Sequence, residues 1–118
     1  MASNVKKAGI TSTNVTANGA TNGAAVSLDS YETNPIAVLT VSSRTDGSYT
    51  LKLQHSADGV NWTDYGSGAS ALTADGTRVL GIDSQATPLL TYIRPVVTAG
   101  AVTTGATVKV DLYVQKAK

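Results

Sequence analysis

The stretch YTLKLQHSADGVNWTDY, from Tyr49 to Tyr65, restricts the fold more than any other part of the chain. Tyr49, Leu51 and Leu53 alternate with Thr50, Lys52 and Gln54, the period-two pattern of a strand with one buried and one wet face. Ser56, Ala57, Asp58 and Gly59 interrupt that pattern. The Asp58 carboxylate can accept N–H bonds from its own turn and Gly59 supplies a positive φ, so the chain is expected to reverse into Val60, Asn61, Trp62 and Thr63 as a β-hairpin. Trp62 is the single tryptophan, and just past the turn it is expected to cover the end of the apolar face. Ser56, Asp58, Gly59, Trp62 and Asp64 are therefore candidate structural residues of this hairpin.

The chain beyond Pro35 reads the same way. Ile36 to Val41 is a near-continuous apolar run, as in a strand covered on both faces, and SSRTDGS turns it at Asp46 and Gly47. A further Asp-Gly pair, Asp75 and Gly76, introduces the strand Thr77 to Ile82, with Gly81 placed for a bulge or a close approach of backbone. In the segment LLTYIRPVVTAG, Pro95 lacks the N–H of a ladder, which predicts an edge strand or a bulge. In ATVKVDLYVQK, Val108, Val110, Leu112 and Val114 share one face while Lys109, Asp111, Tyr113 and Gln115 share the other. The short link GAVTTG predicts that these last two strands pair as a hairpin. No long segment has helical apolar spacing, and the Asp-Gly turns are not an internal repeat. About eight short strands at this spacing predict an all-β antiparallel β-sandwich of jelly-roll type over residues 35–118.

Residues 1–34 differ. Thr, Asn, Gly and Ala dominate, and Ile10, Val15 and Val26 are too sparse for a core helix. Either a disordered tail, or an extended N-terminal arm that forms edge strands or lies on a neighbouring subunit, is expected, with Ile10, Val15 and Val26 as candidate contacts to a neighbouring subunit or to a capsid.

The rest is mostly exclusion. With a net charge of +1, and basic clusters only at Lys6 and Lys7 and at Lys116 and Lys118, the chain lacks the stripe that displaces counterions from nucleic acid. There are no cysteines, so neither a disulfide framework nor a thiolate metal site is available. No apolar run approaches a membrane span, and no signal peptide is expected from MASNVKKAG. His55 is the sole histidine and continues the Tyr49, Leu51, Leu53 face, which predicts a hydrogen-bonded strand-end residue rather than a metal ligand or catalytic base. Asp58, Asn61 and Asp64 do not have the spacing of a calcium loop. Asp58 and Asp64 flank Trp62 as a glycosidase pair could, yet at a solvated hairpin tip nothing raises a carboxyl pKa. The Asn-x-Thr matches at Asn14 and Asn61 are those that chance supplies in a Thr-rich chain. No catalytic residue, metal or cofactor is expected.

The run HSADGVNWTDYG resembles the S-x-D-G-x-x-W-T-D hairpin of small structural proteins of tailed-bacteriophage heads, the capsid decoration or cement proteins. Strands similar to TYIRPVVT and VKVDLYV follow that hairpin in those proteins, so the resemblance spans roughly residues 36 to 115, sharp only from Ser56 to Asp64. It implies a virion protein on the capsid exterior that binds the major capsid protein and bridges its subunits. The residues themselves point to no enzyme, nucleic-acid or membrane role, and the sparse N-terminal segment together with Pro95 at an expected sheet edge predicts a homo-oligomer, dimer or trimer. The same residues are similar to the Asp-box of sialidase-like propellers, where Asp and Trp hold a hairpin together; a propeller is excluded by length. The alternatives are a carbohydrate-binding module that uses Trp62 and Tyr65 as a stacking platform, and a tail or baseplate structural protein.

Overall fold

Alternation of more and less buried residues runs through most of the strands Glu32–Ser42, Ser48–Ser56 and Ala106–Lys116, and it sets the architecture. A computed structural model describes residues 3–116; Lys118 lies outside them. In chain order the strands are β1 (Ser3–Val15), β2 (Gly19–Asn22), β3 (Val26–Ser27), β4 (Glu32–Ser42), β5 (Ser48–Ser56), β6 (Thr63–Tyr65), β7 (Gly76–Gly81), β8 (Tyr92–Gly100) and β9 (Ala106–Lys116). They form two sheets, one ordered β1-β9-β4-β7 and the other β2-β8-β5-β6, with β3 resuming the place of β2 beside β8. Every pairing is antiparallel. The expected all-β antiparallel sandwich is the architecture observed, and the described residues contain no helix.

The core lies between the sheets. Ala37, Leu39 and Val41 of β4 and Val108, Val110, Leu112 and Val114 of β9 point in from one side. Tyr49, Leu51 and Leu53 of β5 and Ile93, Val97 and Ala99 of β8 meet them from the other. Each fully buried Val, Leu or Ile contributes about 1.5–3 kcal/mol relative to an exposed one, so this layer is the principal source of stability.

The N-terminal segment belongs to this core. β1 pairs along β9 from Ser3↔Lys116 to Val15↔Ala106, and β2 and β3 pair with β8, so β1, β2 and β3 are edge strands rather than a free arm, and residues 32–34 already open β4. Ile10, Val15 and Val26 are 6%, 7% and 8% exposed. They pack into the core of their own chain, which corrects their expected role as contacts to a neighbouring subunit or capsid. The physical reason is local. β1 shifts register between Lys7 and Ile10 and again between Ile10 and Thr13, and each bulge resets which residues face inward. An edge strand that buries one face needs few apolar residues.

Two further expectations change. β8 and β9 do not form a hairpin; they lie in different sheets, and residues 101–105 cross between them. Pro95 sits inside its sheet, with β5 on one side and β2 and β3 on the other. Its carbonyl accepts the Gly23 N–H at 2.8 Å, so its nitrogen faces the same side. That side is interrupted, because β2 ends at Asn22 and β3 starts at Val26. The missing donor of proline thus points at a gap in the neighbouring strand.

Candidate functional site

The hairpin singled out by the sequence is closed upon itself. Ser56 is 1% exposed; its Oγ accepts the N–H of Asp58 at 3.2 Å and of Gly59 at 2.9 Å, and donates to Asp58 Oδ1 at 2.8 Å. Asp58 Oδ1 also accepts the N–H groups of Val60 and Asn61, both at 2.8 Å, and Oδ2 accepts Asn61 Nδ2 at 2.8 Å. Gly59 has φ +78°, the left-handed conformation that strains other residues. The backbone N–H of Asn61, then that of Val60, with the Ser56 and Asn61 side chains, hold the Asp58 carboxyl far below the usual carboxylate range. The Asp58 carboxylate thus accepts four hydrogen bonds from the hairpin's own donors, which makes it the organiser of this turn.

Trp62 behaves differently from its expected role. It is half-buried and outside the core cluster, and the Arg94 guanidinium carbon lies 4.4 Å from its ring centroid, a cation–π contact. Arg94 Nε and Nη2 donate to Gln54 Oε1 at 3.0 and 2.8 Å, and Gln54 Nε2 donates to Asp64 Oδ1 at 3.0 Å. Lys52 Nζ is 3.0 Å from the same oxygen. Gln54 first and Lys52 second lower the Asp64 pKa. Asp64 therefore ties β6 to β5 from the solvent side.

Tyr65 does the covering assigned to Trp62. It pairs with Leu53 and shares its inward face, is 1% exposed, and donates its hydroxyl to the Thr87 carbonyl at 2.7 Å. Its ring centroid is 4.8 Å from that of His55. His55 Nδ1 accepts the Leu90 N–H at 3.2 Å, and burial holds the imidazole pKa down. Register could have located Tyr65: counting outward from the turn, it falls opposite the inward Leu53.

The two ends of the sandwich differ in chemistry. At one end Asp46, in the β4–β5 turn, accepts the N–H groups of Thr103, Thr104 and Gly105 through Oδ1 at 3.1, 3.1 and 2.8 Å. Asn18 Oδ1 accepts the Val102 N–H at 2.8 Å. These loops are tied down by their own polar groups. The other end gathers the β3–β4, β5–β6 and β7–β8 connections, where Leu28 N–H donates to the Thr91 carbonyl and Gly59 approaches the Tyr92 ring. Each of these loops exposes one large apolar side chain: Tyr31 at 65%, Val60 at 75% and Leu90 at 43%. Sequence reading had not singled out Tyr31, Val60 or Leu90, because isolated apolar residues in loops carry no periodic signal.

A shallow cleft of about 410 Å³ lies at this end, lined by Leu28, Asp29, Glu32, Ser84, Leu89 and Leu90 among others. Its one buried acid, Glu32, is committed to Lys7 and to the Asp29 N–H. Among the described residues no group of three or more His, Cys, Asp or Glu side chains could hold a metal, and no buried side-chain polar atom lacks a partner.

The sequence matches no protein-family model, and no curated protein matches it. Among solved structures, a chain from the structure of infectious bursal disease virus, Gx strain, is similar at a TM-score of 0.52 and 13% identity. The similarity covers 98% of this chain and 31% of that one. At this identity the likeness is one of fold: the sandwich described above recurs within a longer chain of a virus structure.

Proposed function

We propose that this chain is a non-enzymatic virion structural protein, a decoration or cement protein that binds the exterior of a bacteriophage head and stabilises the shell by bridging neighbouring copies of the major capsid protein. The observation that carries this reading is the loop end where Tyr31, Val60 and Leu90 stand exposed on three separate connections of the sandwich. Large apolar side chains exposed on neighbouring connections offer contact area to a protein partner. The interleaved strand order, with successive strands crossing between the sheets except at the β5–β6 turn and the β2–β3 interruption, supports reading the sandwich as a jelly roll. The likeness to a chain of a virus structure agrees with that assignment. Each copy need contribute only a few kcal/mol at a shell, because many simultaneous contacts raise the effective concentration of the rest.

The carbohydrate-binding alternative loses its platform. Tyr65 is buried and Arg94 occupies one face of Trp62, whereas a sugar site presents flat aromatics to solvent. Cryo-electron microscopy of the source virion tests the proposal. Density for this sandwich on the head exterior, with the Tyr31, Val60 and Leu90 end against the shell, is the expected result. Density on the tail or baseplate, or none on the particle, overturns it.

A further inference from the structure

A sheet edge carries the furthest inference. β7 ends the order β1-β9-β4-β7, and among the described residues no strand lies beyond it. Its partner fixes the direction of its backbone groups. Ile82 donates its N–H to the Pro35 carbonyl, and the register places Leu80 opposite Ala37 and Arg78 opposite Leu39. In an antiparallel ladder hydrogen-bonded pairs alternate, so the N–H and C=O groups of Arg78 and Leu80 turn towards β4 and those of Thr77, Val79 and Gly81 turn outward. Thr77, Val79 and Gly81 are the exposed residues of the strand. Among the described residues no turn or loop hydrogen bond engages their backbone.

The remaining edges are blunted in ways β7 is not. β1 has two register shifts and carries Lys6; β2 has four residues. β6 has three, and the chain after it stays on β5 through Ala69 and Leu72. β7 runs six residues in unbroken register without proline. Its one charge, Arg78, is drawn back to the carbonyls of Ser70 and Ala71 at 3.1 and 3.2 Å. A regular edge whose one charge is engaged within its own chain is a template for another strand.

We propose that β7 is a homodimer seam, in which two copies pair their β7 strands antiparallel about a two-fold axis through Val79 and join two four-stranded sheets into one. A second copy is the occupant because the free groups are self-complementary. With Val79 on the axis, Val79 lies opposite Val79 of the other copy and Thr77 opposite its Gly81, so every outward N–H and C=O finds a partner. Arg78 then falls opposite Leu80, and no like charges meet. Sliding the axis to Arg78 sets two arginines opposite one another and leaves Gly81 unpaired. On the outer face Val79, 61% exposed, lies beside Val38, and the seam extends this into a β-branched row across both copies. The seam follows from the edge itself and stands or falls apart from capsid binding.

Sedimentation of the full chain over a micromolar concentration series tests it, beside amide hydrogen exchange. The expected result is a concentration-dependent dimer in which the Thr77, Val79 and Gly81 amides are protected. Val79→Lys should weaken that dimer by about tenfold or more and leave the same amides fast-exchanging, with little change in melting because the side chain is exposed. A monomer throughout the series overturns the seam, as does a dimer that survives in folded Val79→Lys. If that variant does not fold, exchange on the unmodified chain decides: fast exchange at those three amides in a dimer overturns the seam, and protection that grows with concentration supports it.

Discussion

Lys7 Nζ lies 2.6 Å from Glu32 Oε2, and the Glu32 side chain is 3% exposed. This pair joins the edge strand β1 to the start of β4. The Asp29 N–H donates to the other carboxylate oxygen at 3.0 Å, so the buried charge is satisfied on both sides. It makes the N-terminal segment an integral part of the sandwich.

The first prediction follows from the asymmetry of buried ion pairs: a pair is worth little against an apolar replacement, but removing one member strands the other. Lys7→Ala should therefore cost about 3 kcal/mol, and Lys7→Met combined with Glu32→Leu should recover most of that loss. Denaturant unfolding of the three proteins measures this. A Lys7→Ala protein within about 0.5 kcal/mol of the parent means that β1 is held loosely, and the integral-strand assignment fails.

The second prediction concerns the crossing from β8 to β9. Gly105 has φ +104°, and a Cβ there would run into the Val15 carbonyl. Gly105→Ala should cost about 2 kcal/mol or more and expose the Val15 end of β1 to hydrogen exchange. Gly100→Ala is the control, since a Cβ there meets only Ser48 Oγ at an ordinary 3.5 Å. Equal stability of the two variants contradicts the packing described.

How much of this was legible beforehand depends on the kind of signal. The inward faces of β4, β5 and β9 follow from alternation, and the Ser56, Asp58, Gly59 turn follows from the chemistry of its own side chains. What alternation misses is anything set by register between distant strands. Ile10 and Val15 reach the core only because two bulges in β1 re-aim them, and bulges leave little trace in a Thr-rich sequence. Pro95 is tolerated only because a different strand is interrupted beside it. Tyr65 and Trp62 exchange roles because the hairpin register places Tyr65, and not the larger ring, opposite Leu53.

Acid should destabilise the protein in two steps. Burial lowers the His55 pKa from its ordinary 6.5, so the folded state disfavours the proton. The stability this contributes is full above 6.5 and is lost as pH falls from there towards the folded value. Asp58, Asp46, Asp29 and Asp64 are lowered mainly by the hydrogen bonds they accept. Burial raises the Glu32 pKa, but Lys7 and the Asp29 N–H outweigh it, and the net shift is downward. Stability from these carboxylates is present above their ordinary values near 4 and is lost as pH falls through their folded values. His55→Asn, which keeps an acceptor for the Leu90 N–H, should abolish the step near neutrality and leave the acid one. Melting temperature against pH shows this; a first step that persists in the variant removes His55 as its source.

The last prediction separates structure from ligand binding at the hairpin. Trp62 is half-buried, loses one Arg94 contact on truncation and leaves the core closed, so Trp62→Ala should cost about 1–2 kcal/mol. Tyr65→Ala opens a cavity beside Leu53 and orphans the Thr87 carbonyl, and should cost about 3–5 kcal/mol. On a carbohydrate-binding surface the order of importance reverses: Trp62→Ala leaves folding almost untouched and abolishes glycan binding. Thermal unfolding of both variants, run beside a glycan panel and binding to isolated heads, distinguishes the two. Glycan binding by the parent that vanishes in a stable Trp62→Ala protein would overturn the structural reading of this hairpin, because the cation–π contact would then be a resting state displaced by sugar. Head binding that survives Trp62→Ala but falls when Val60, at the tip of the same hairpin, becomes aspartate would place the docking surface at the apolar loop end, since Val60 contacts none of the core and its loss removes only exposed surface.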